Sequence, residues 1–306
     1  MSFEWLKRRF HVRGVFWREL QDWAVINLPF FIEPFQMAVW ALIFFLVARR
    51  ERMAVIQNLR MIHPGTSRIA VWFRAYRVFW NFSWTTTDTA RFKLTGKTMD
   101  WDFDGIEYFH QLVAIRTGAI MLTAHMGNYD LGASLFSQKG GRTITVIRAP
   151  ESDPETQQYV EQKVDLTGGF RVGYSQSDSM LGIDLVHAIQ NQEIVAIQGD
   201  RLVPGISTIE SSLFSHRTLL PSGPFALALA TGAAIFPLFV VRMGRRRYRL
   251  VHRPPFYCKR TGPDRARDFR EATSRWISVL EESVEAYSYQ WFVFEPFAAT
   301  EPPVAK

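Results

Sequence analysis

The stretch LTAHMGNYD, residues 122–130, delivers a histidine at the end of an apolar run and places an acid, Asp130, five positions later. His125 is the only one of the seven histidines with an acid at that spacing. If a strand ends at His125 and a helix begins just after it, Asp130 lies little more than a turn along, within reach of one imidazole nitrogen. Its carboxylate would fix the tautomer, leaving the other nitrogen to take a proton from a substrate hydroxyl. Amides at the start of the helix can stabilise developing negative charge, and no serine nucleophile is required. Spacing alone is a weak signal. The end of an apolar run adds weight, because open α/β sheets hold their sites at the carboxyl ends of strands. A histidine that merely caps a helix is the plainer alternative.

A second constellation, IVAIQGDRLVPG over residues 194–205, puts Asp200 and Arg201 just past another apolar run. The planar fork of an arginine grips a phosphate or carboxylate, and Asp200 would pair with it or with a substrate hydroxyl. A loop salt bridge is the structural alternative. Arg148 ends a third run, VIRAP, and Asn128 lies inside the histidine motif. Asn128, Arg148, Asp200 and Arg201 are therefore the substrate-binding candidates beside the catalytic pair His125 and Asp130. The block FSHRTLLPSGPFALALATGAAIFPLFV, residues 214–240, would floor an apolar tunnel or simply fill core. No Gly-x-Ser-x-Gly elbow, Walker loop, Gly-x-Gly-x-x-Gly or His-Glu-x-x-His helix occurs, which argues against α/β-hydrolases, P-loop enzymes and zincins. The single cysteine, Cys258, removes any multi-thiolate zinc site and any internal disulfide. Neither metal nor cofactor is expected.

Apolar runs at residues 119–124, 143–148, 194–198, 234–242 and 248–253 read as strands. Amphipathic stretches at 129–139, 155–166, 178–191, 223–231 and 265–288 read as helices between or after them, the signal of crossover connections. MGRRR, residues 243–247, reads as a tight turn between antiparallel strands. The expected fold is thus α/β, with a mixed, mostly parallel central sheet flanked by helices. Upstream, residues 53–91 have helical spacing broken at His63-Pro64-Gly65, which predicts helix, turn, helix.

The 306 residues include 47% apolar and 21% charged types, and mean hydropathy is −0.06, too apolar for disorder and too mixed for a polytopic membrane protein. The charge of +7 suits an anionic membrane surface, an acidic protein or nucleic acid. The scattered basic residues and missing recognition motifs disfavour nucleic acid. With 25 Phe and 10 Trp, many of them near the N-terminus, the balance tips toward a lipid interface. FQMAVWALIFFLVA, residues 35–48, falls short of the roughly 20 apolar residues that span a bilayer. Lys7, Arg8, Arg9 and Arg13 precede it and Arg49, Arg50 and Arg52 follow, so both flanks are basic. Residues from about 16 to 48 therefore read as a helical pair dipping into one leaflet; a single span and a buried pair are the alternatives. A secretory signal is not expected, given the late apolar stretch and the lack of a small-residue cleavage site after it. The expected organisation is residues 1–52 as N-terminal membrane-interfacial or anchoring helices, 53–297 as the α/β domain and 298–306 as a flexible tail.

Four segments in order resemble the lysophospholipid acyltransferase superfamily, in its branch of bacterial lipid A late acyltransferases and phosphatidylinositol mannoside acyltransferases. QNLRMIHPG (57–65) is similar to the segment preceding the catalytic domain and LTAHMGNYD to the His-x4-Asp/Glu motif. GDRLVPG with the block after it resembles the second signature, and YQWFVFEPF (289–297) the closing Gln-Trp signature. The acid is Asp, Tyr129 stands where an aromatic is usual, and residues 200–217 lack the glycine-rich spacing and Phe-Gly of many members. The resemblance implies a glycerolipid acyltransferase-like fold and transfer of a fatty acyl group from acyl-ACP or acyl-CoA, a co-substrate rather than a cofactor, to a membrane lipid hydroxyl. It places the protein at the cytoplasmic face of the inner membrane. His125 would be the base, Asp130 its orienting acid, Arg148 and Arg201 headgroup or donor-phosphate ligands, and Asp200 a positioning group. The arginines at 242, 245, 246, 247, 249 and 253 would meet acyl carrier protein or lipid headgroups, or form a solvated turn. A noncatalytic lipid-binding protein and a His-dependent lipid or thioester hydrolase are the rival functions.

Overall fold

The computed structural model describes residues 14–140, 142–151, 153–165, 170–175, 180–203, 205–262 and 264–298. Four helices come first: α1 (Val15–Asn27), α2 (Glu33–Val47), α3 (Arg49–Ile62) and α4 (Arg68–Thr95). The expected helical pair is α1 and α2; the basic residues at 7–13 lie outside the described residues. Pro34 sits in the first turn of α2, where its missing N–H costs nothing, and Ser67 caps α4 by accepting from the Ala70 amide. Met37, Ala41 and Phe45 of α2 face inward, and Ala41 and Phe45 join Val71, Ala75, Val78 and Phe79 of α4 and Ile56 and Leu59 of α3 in an aromatic-rich core. Gly96 at φ 65° ends α4 in the left-handed conformation.

The α/β part runs β1 (Asp100–Asp104), α5 (Ile106–Ala114), β2 (Ala119–Thr123), α6 (Tyr129–Gly140), β3 (Ile144–Arg148), α7 (Pro154–Asp165), β4 (Phe170–Tyr174), α8 (Leu181–Gln190) and β5 (Ile194–Gln198). It continues through β6 (Thr208–Leu213), β7 (His216–Pro221), α9 (Gly223–Thr231), β8 (Ala234–Gly244), β9 (Arg247–His252), β10 (Phe256–Tyr257) and α10 (Arg265–Ala286), with a 3-10 turn over Ser288–Gln290. The sheet order is β1-β9-β8-β2-β5-β3-β4, with β10 added antiparallel on β8. Only β8 with β9 and β10 with β8 are antiparallel, so the sheet is mixed and mostly parallel, as the MGRRR turn predicts. Strand alternation sends Ile120 and Leu122 of β2 to one face, against Trp276, Leu280 and Val284 of α10, and Ala119 and Met121 to the other, against Phe136 of α6 and Leu112 of α5.

Two readings left open by the sequence are narrowed here. Several arginines of the hairpin after β8 are tied down by ion pairs: Arg245 and Arg246 both pair with buried Glu33 at the start of α2, as does Arg91 from α4. Arg249 pairs with Asp102, and Arg253 with Asp104 and Glu282. Burial of Glu33 is outweighed by Arg245 and Arg91, which hold its carboxyl below the usual range. The hairpin joins the helical lobe to the sheet rather than offering a free basic patch. The α9 segment, considered as a tunnel floor, is core: Phe225, Leu227 and Ala228 pack under the sheet.

Candidate active site

The site forms where parallel strands β2 and β5 end. Their register pairs Thr123 with Gln198, so His125 and Asp200, each two residues further on, leave the sheet side by side. The Gly199 amide donates to the Thr123 carbonyl at 2.9 Å and keeps the two strand ends together. His125 Nδ1 lies 2.7 Å from Asp200 Oδ1, and the His125 amide donates to Asp200 Oδ2 at 2.9 Å. The Trp291 indole N–H donates to the same Oδ2, also at 2.9 Å. With three donors on one carboxylate, the ring carries its proton on Nδ1 and leaves Nε2 as an acceptor. Burial works to raise the Asp200 pKa, but His125, its amide and Trp291 together hold it below the ordinary range.

Past His125 the chain turns sharply. Gly127 has φ 56°, and a Cβ there would sit 1.7 Å from the Val240 carbonyl oxygen, so only glycine fits. The Gly127 amide donates to Gln290 O and the Asn128 amide to Val240 O, both at 2.8 Å. Asn128 then caps α6: its Oδ1 accepts from the Leu131 amide at 3.2 Å and the Thr89 hydroxyl at 2.9 Å. Its Nδ2 donates to the Thr85 carbonyl at 3.1 Å. The Tyr248 hydroxyl lies 3.4 Å from the same nitrogen and donates to Asp88 at 2.7 Å. Asp88 is fully buried, which raises its pKa.

The sequence-derived residues thus regroup. Asp130, expected on His125, sits in the first turn of α6 and pairs with Arg148 from the end of β3. The helix start aims its carboxylate across to the next strand end instead of back to the imidazole. Burial raises its pKa, and Arg148, Lys93 and Arg18 outweigh that to bring it below normal. Asp200, expected to meet substrate, is the acid that orients His125, and its side chain has no exposure. Asn128 is consumed by the helix cap and the α4 contacts. Arg201 is half-buried, and among the described residues it makes no ion pair; its charge acts on the Tyr129 hydroxyl. Tyr129 stands edge-on to His125 with ring centres 5.7 Å apart, and burial, then Asp130, pushes its hydroxyl up to about 12. Trp291 entered the sequence argument only within the closing Gln-Trp signature and Gly127 only within the histidine motif, neither with a role of its own. The common offset of His125 and Asp200 from paired strand positions is the signal that finds the pair once strand order is known.

A cavity of about 460 Å³ opens beside this turn. Its lining combines Tyr129, Asp130 and Arg148 with other charged side chains such as Arg18, Lys93 and Glu51, and with aromatic rings such as Trp40, Phe44, Phe79 and Phe292. His125 is not among the lining residues, but its ring stands edge-on to that of Tyr129, which is. A lining of both charged groups and aromatic rings suits a molecule with a polar head and an apolar chain. Among the described residues no group of three or more His, Cys, Asp or Glu is arranged to hold a metal ion.

Against known proteins, the chain is 22% identical over 215 residues to the phosphatidylinositol mannoside acyltransferase of Mycobacterium tuberculosis strain CDC 1551 / Oshkosh, covering 68% of this chain and 63% of that protein. The protein of the same name from strain H37Rv is 22% identical over 209 residues, with the same coverage. That from Mycolicibacterium smegmatis strain mc(2)155 is 24% identical over 144 residues, covering 45% of this chain and 44% of the relative. The chain therefore spans less than two thirds of the length of these curated relatives. Residues 7–297 match the family model described as bacterial lipid A biosynthesis acyltransferase, and over that nearly complete span the chain belongs to this family.

Proposed function

We propose that the protein is an O-acyltransferase that moves a fatty acyl chain from an acyl thioester, acyl-ACP or acyl-CoA, to a hydroxyl of a membrane lipid or glycolipid. The observation that carries this is His125 held by Asp200 at 2.7 Å at a strand-end edge, beside a cavity lined by both charged side chains and aromatic rings. His125 Nε2 takes the acceptor proton as the hydroxyl oxygen attacks the thioester carbonyl. The intermediate collapses with cleavage of the carbon–sulfur bond, and the imidazolium returns the proton to the departing thiolate. One ester forms, one thioester is lost, and no acyl-enzyme is needed. The amides opening α6 and their dipole suit the developing oxyanion. The aromatic rings of the cavity lining suit the acyl chain. Arg148, which lines the cavity, and Arg201, whose charge reaches the Tyr129 hydroxyl, are the candidate cations for a headgroup or donor phosphate. The family description and the relatives' names make lipid A precursors and mannosylated phosphoinositides the first acceptors to test.

A peripheral seat on the inner membrane fits the same reading. Among the described residues no helix is long and apolar enough to cross a bilayer. The 15-residue α2 is nonetheless apolar all round, burying Met37, Ala41 and Phe45 while exposing Phe35, Leu42, Leu46 and Val47. Phe30 and Phe31 extend that face. Such a helix suits the headgroup boundary with its apolar side in the acyl region and Arg49 and Arg50 near anionic phosphates.

Lipid mass spectrometry of cells carrying the wild-type gene, His125→Ala or no gene tests the proposal. A lipid lacking one acyl chain in both altered strains is the expected outcome, with transfer lowered by about 10²–10⁴-fold for the lost base. A lipidome fully restored by His125→Ala would sink it. Release of free fatty acid independent of any acceptor lipid would instead identify a hydrolase.

A further inference from the structure

The closing segment of the chain is tied to the catalytic turn by more bonds than a passing tail needs. The Phe292 amide donates to the His125 carbonyl at 2.7 Å, Gly127 donates to the Gln290 carbonyl, and Met126 and Trp291 form an antiparallel bridge. The Gln290 side chain accepts from the Arg242 amide at 2.6 Å and donates to the Arg242 carbonyl at 2.8 Å, locking the segment to β8. Asn58, from α3, donates to the Val293 and Glu295 carbonyls and accepts from the Phe297 amide. These bonds fix Trp291, 3% exposed, with its indole N–H on Asp200 Oδ2 at 2.9 Å.

We propose that Trp291 is a positioning residue for the acyl transfer, acting through Asp200 to set both the orientation and the proton affinity of His125. This rests on His125 being the general base. The Asp200 side chain is sealed from solvent, so no water can replace a lost donor. Its Oδ1 is left to His125 Nδ1 because Oδ2 is occupied by the indole and the His125 amide. Without the indole N–H the carboxylate is freer to rotate, and its charge is less dispersed. A more basic carboxylate stabilises the imidazolium, so His125 titrates at higher pH and is more protonated at neutrality. Among the described residues, Tyr129 from α6 stands edge-on to the ring, Asp130, Arg148 and Arg201 act on the Tyr129 hydroxyl, and Lys93 from α4 and Arg18 from α1 act on Asp130. All of them are unchanged by a substitution at Trp291.

The test needs no knowledge of the acceptor. His125 is titrated by NMR of its carbon-bound imidazole protons in the full-length protein, assigned by their loss in His125→Ala. Trp291→Phe removes the donor. Replacing Trp291 with benzothienylalanine removes it too while keeping the bicyclic shape, and serves where Trp291→Phe fails to fold. The expected result is a rise of at least half a pH unit in the His125 midpoint for either variant. The variant should lower the cellular yield of the acylated lipid by 5- to 50-fold. In an Asp200→Ala background, Trp291→Phe should add less than twofold. An unmoved midpoint and wild-type acylation with benzothienylalanine, while His125→Ala is inactive, would overturn the positioning role alone. Full acylation by His125→Ala would overturn the general-base reading instead.

Discussion

Two carboxylates stand at the carboxyl edge of the same sheet, in regions of opposite character. Asp200, at the end of β5, is sealed and held by three directional donors, none of which needs a formal charge to bind it. Asp130, at the mouth of the cavity, keeps 27% side-chain exposure and is neutralised by Arg148, with Lys93 and Arg18 nearby. Both have lowered proton affinity, so titration behaviour alone does not separate them. Donor geometry does. A buried carboxylate with both oxygens held by donors can hold an imidazole in one tautomer, whereas a carboxylate paired with a flexible arginine in a cavity lining can exchange partners when an anionic substrate arrives.

The largest effect that would break this contrast comes from Asp200→Asn. The amide would present an N–H where His125 or Trp291 needs an acceptor, and acyl transfer should fall by roughly 10³–10⁴-fold, as expected when an orienting carboxylate is lost and the tautomer inverts. Asp130→Asn should cost at least about tenfold less, because it frees Arg148 without touching His125. Transfer rates of the two variants, measured side by side, decide the matter. If Asp130→Asn is the more damaging, local spacing rather than strand adjacency identified the true partner.

That possibility shows what the sequence could and could not carry. The histidine, the two acids and both strand ends were all legible, because apolar runs of five residues that stop at polar residues are local signals. The pairing of His125 with Asp200 was not, since it depends on β2 lying beside β5 in register, a lateral order that no local pattern encodes. Asp130 was preferred because it is close along the chain, yet the turn at Gly127 and the cap at Asn128 set the direction in which α6 leaves. Other omissions have similar causes. β1, DWDFD, is a charged edge strand held only by β9, so it lacks an apolar signature. The β6–β7 hairpin turns through Phe214 and Ser215, both at positive φ, where Asn-Gly would have announced it. The arginines of MGRRR looked solvent-facing because their partner, Glu33, lies more than 200 residues away.

A buried group without donors sharpens the comparison from the other side. His252, at the end of β9, is 1% exposed, and among the described residues neither ring nitrogen has a hydrogen-bond partner. Burial lowers its pKa to about 4, against a small opposing effect of Asp104. The unfolded chain takes up a proton below about 6.5, while the folded chain does so only near 4, so stability falls as pH drops through that window. At pH 5 the loss is on the order of 2 kcal/mol. The lowered carboxyls of Asp200 and Asp130 behave differently: their contribution is present above the unfolded value near 3.9 and is lost only below it. His252→Leu should therefore flatten the change in Tm between pH 7.5 and pH 5 by roughly 2–4 °C. An unchanged profile would mean that the ring is already protonated or solvated in the folded state.

The smallest expected effect lies farthest from the dyad, on the outer face of the helical lobe. Phe31 and Phe35 are 75% and 72% exposed, larger fractions than a ring unused by the protein would keep beside an apolar helix. Neither ring can gain from the core of this chain. Inserting one fully into lipid is worth about 1.5–3 kcal/mol, so Phe31→Ser should weaken binding to vesicles containing anionic phospholipid by about tenfold or somewhat more, and Phe31→Ser with Phe35→Ser should roughly multiply the losses. Cosedimentation measures this directly. Because the dyad is fixed by β2, β5 and the closing segment rather than by α2, the His125 titration should be unmoved in these variants. Weakened vesicle binding with an unmoved His125 would show that membrane docking and proton transfer are built in separable parts of the fold. A shifted His125 would mean that α2 braces the site through the aromatic cavity wall, where Met37, Trp40 and Phe44 meet Phe79 and Phe292.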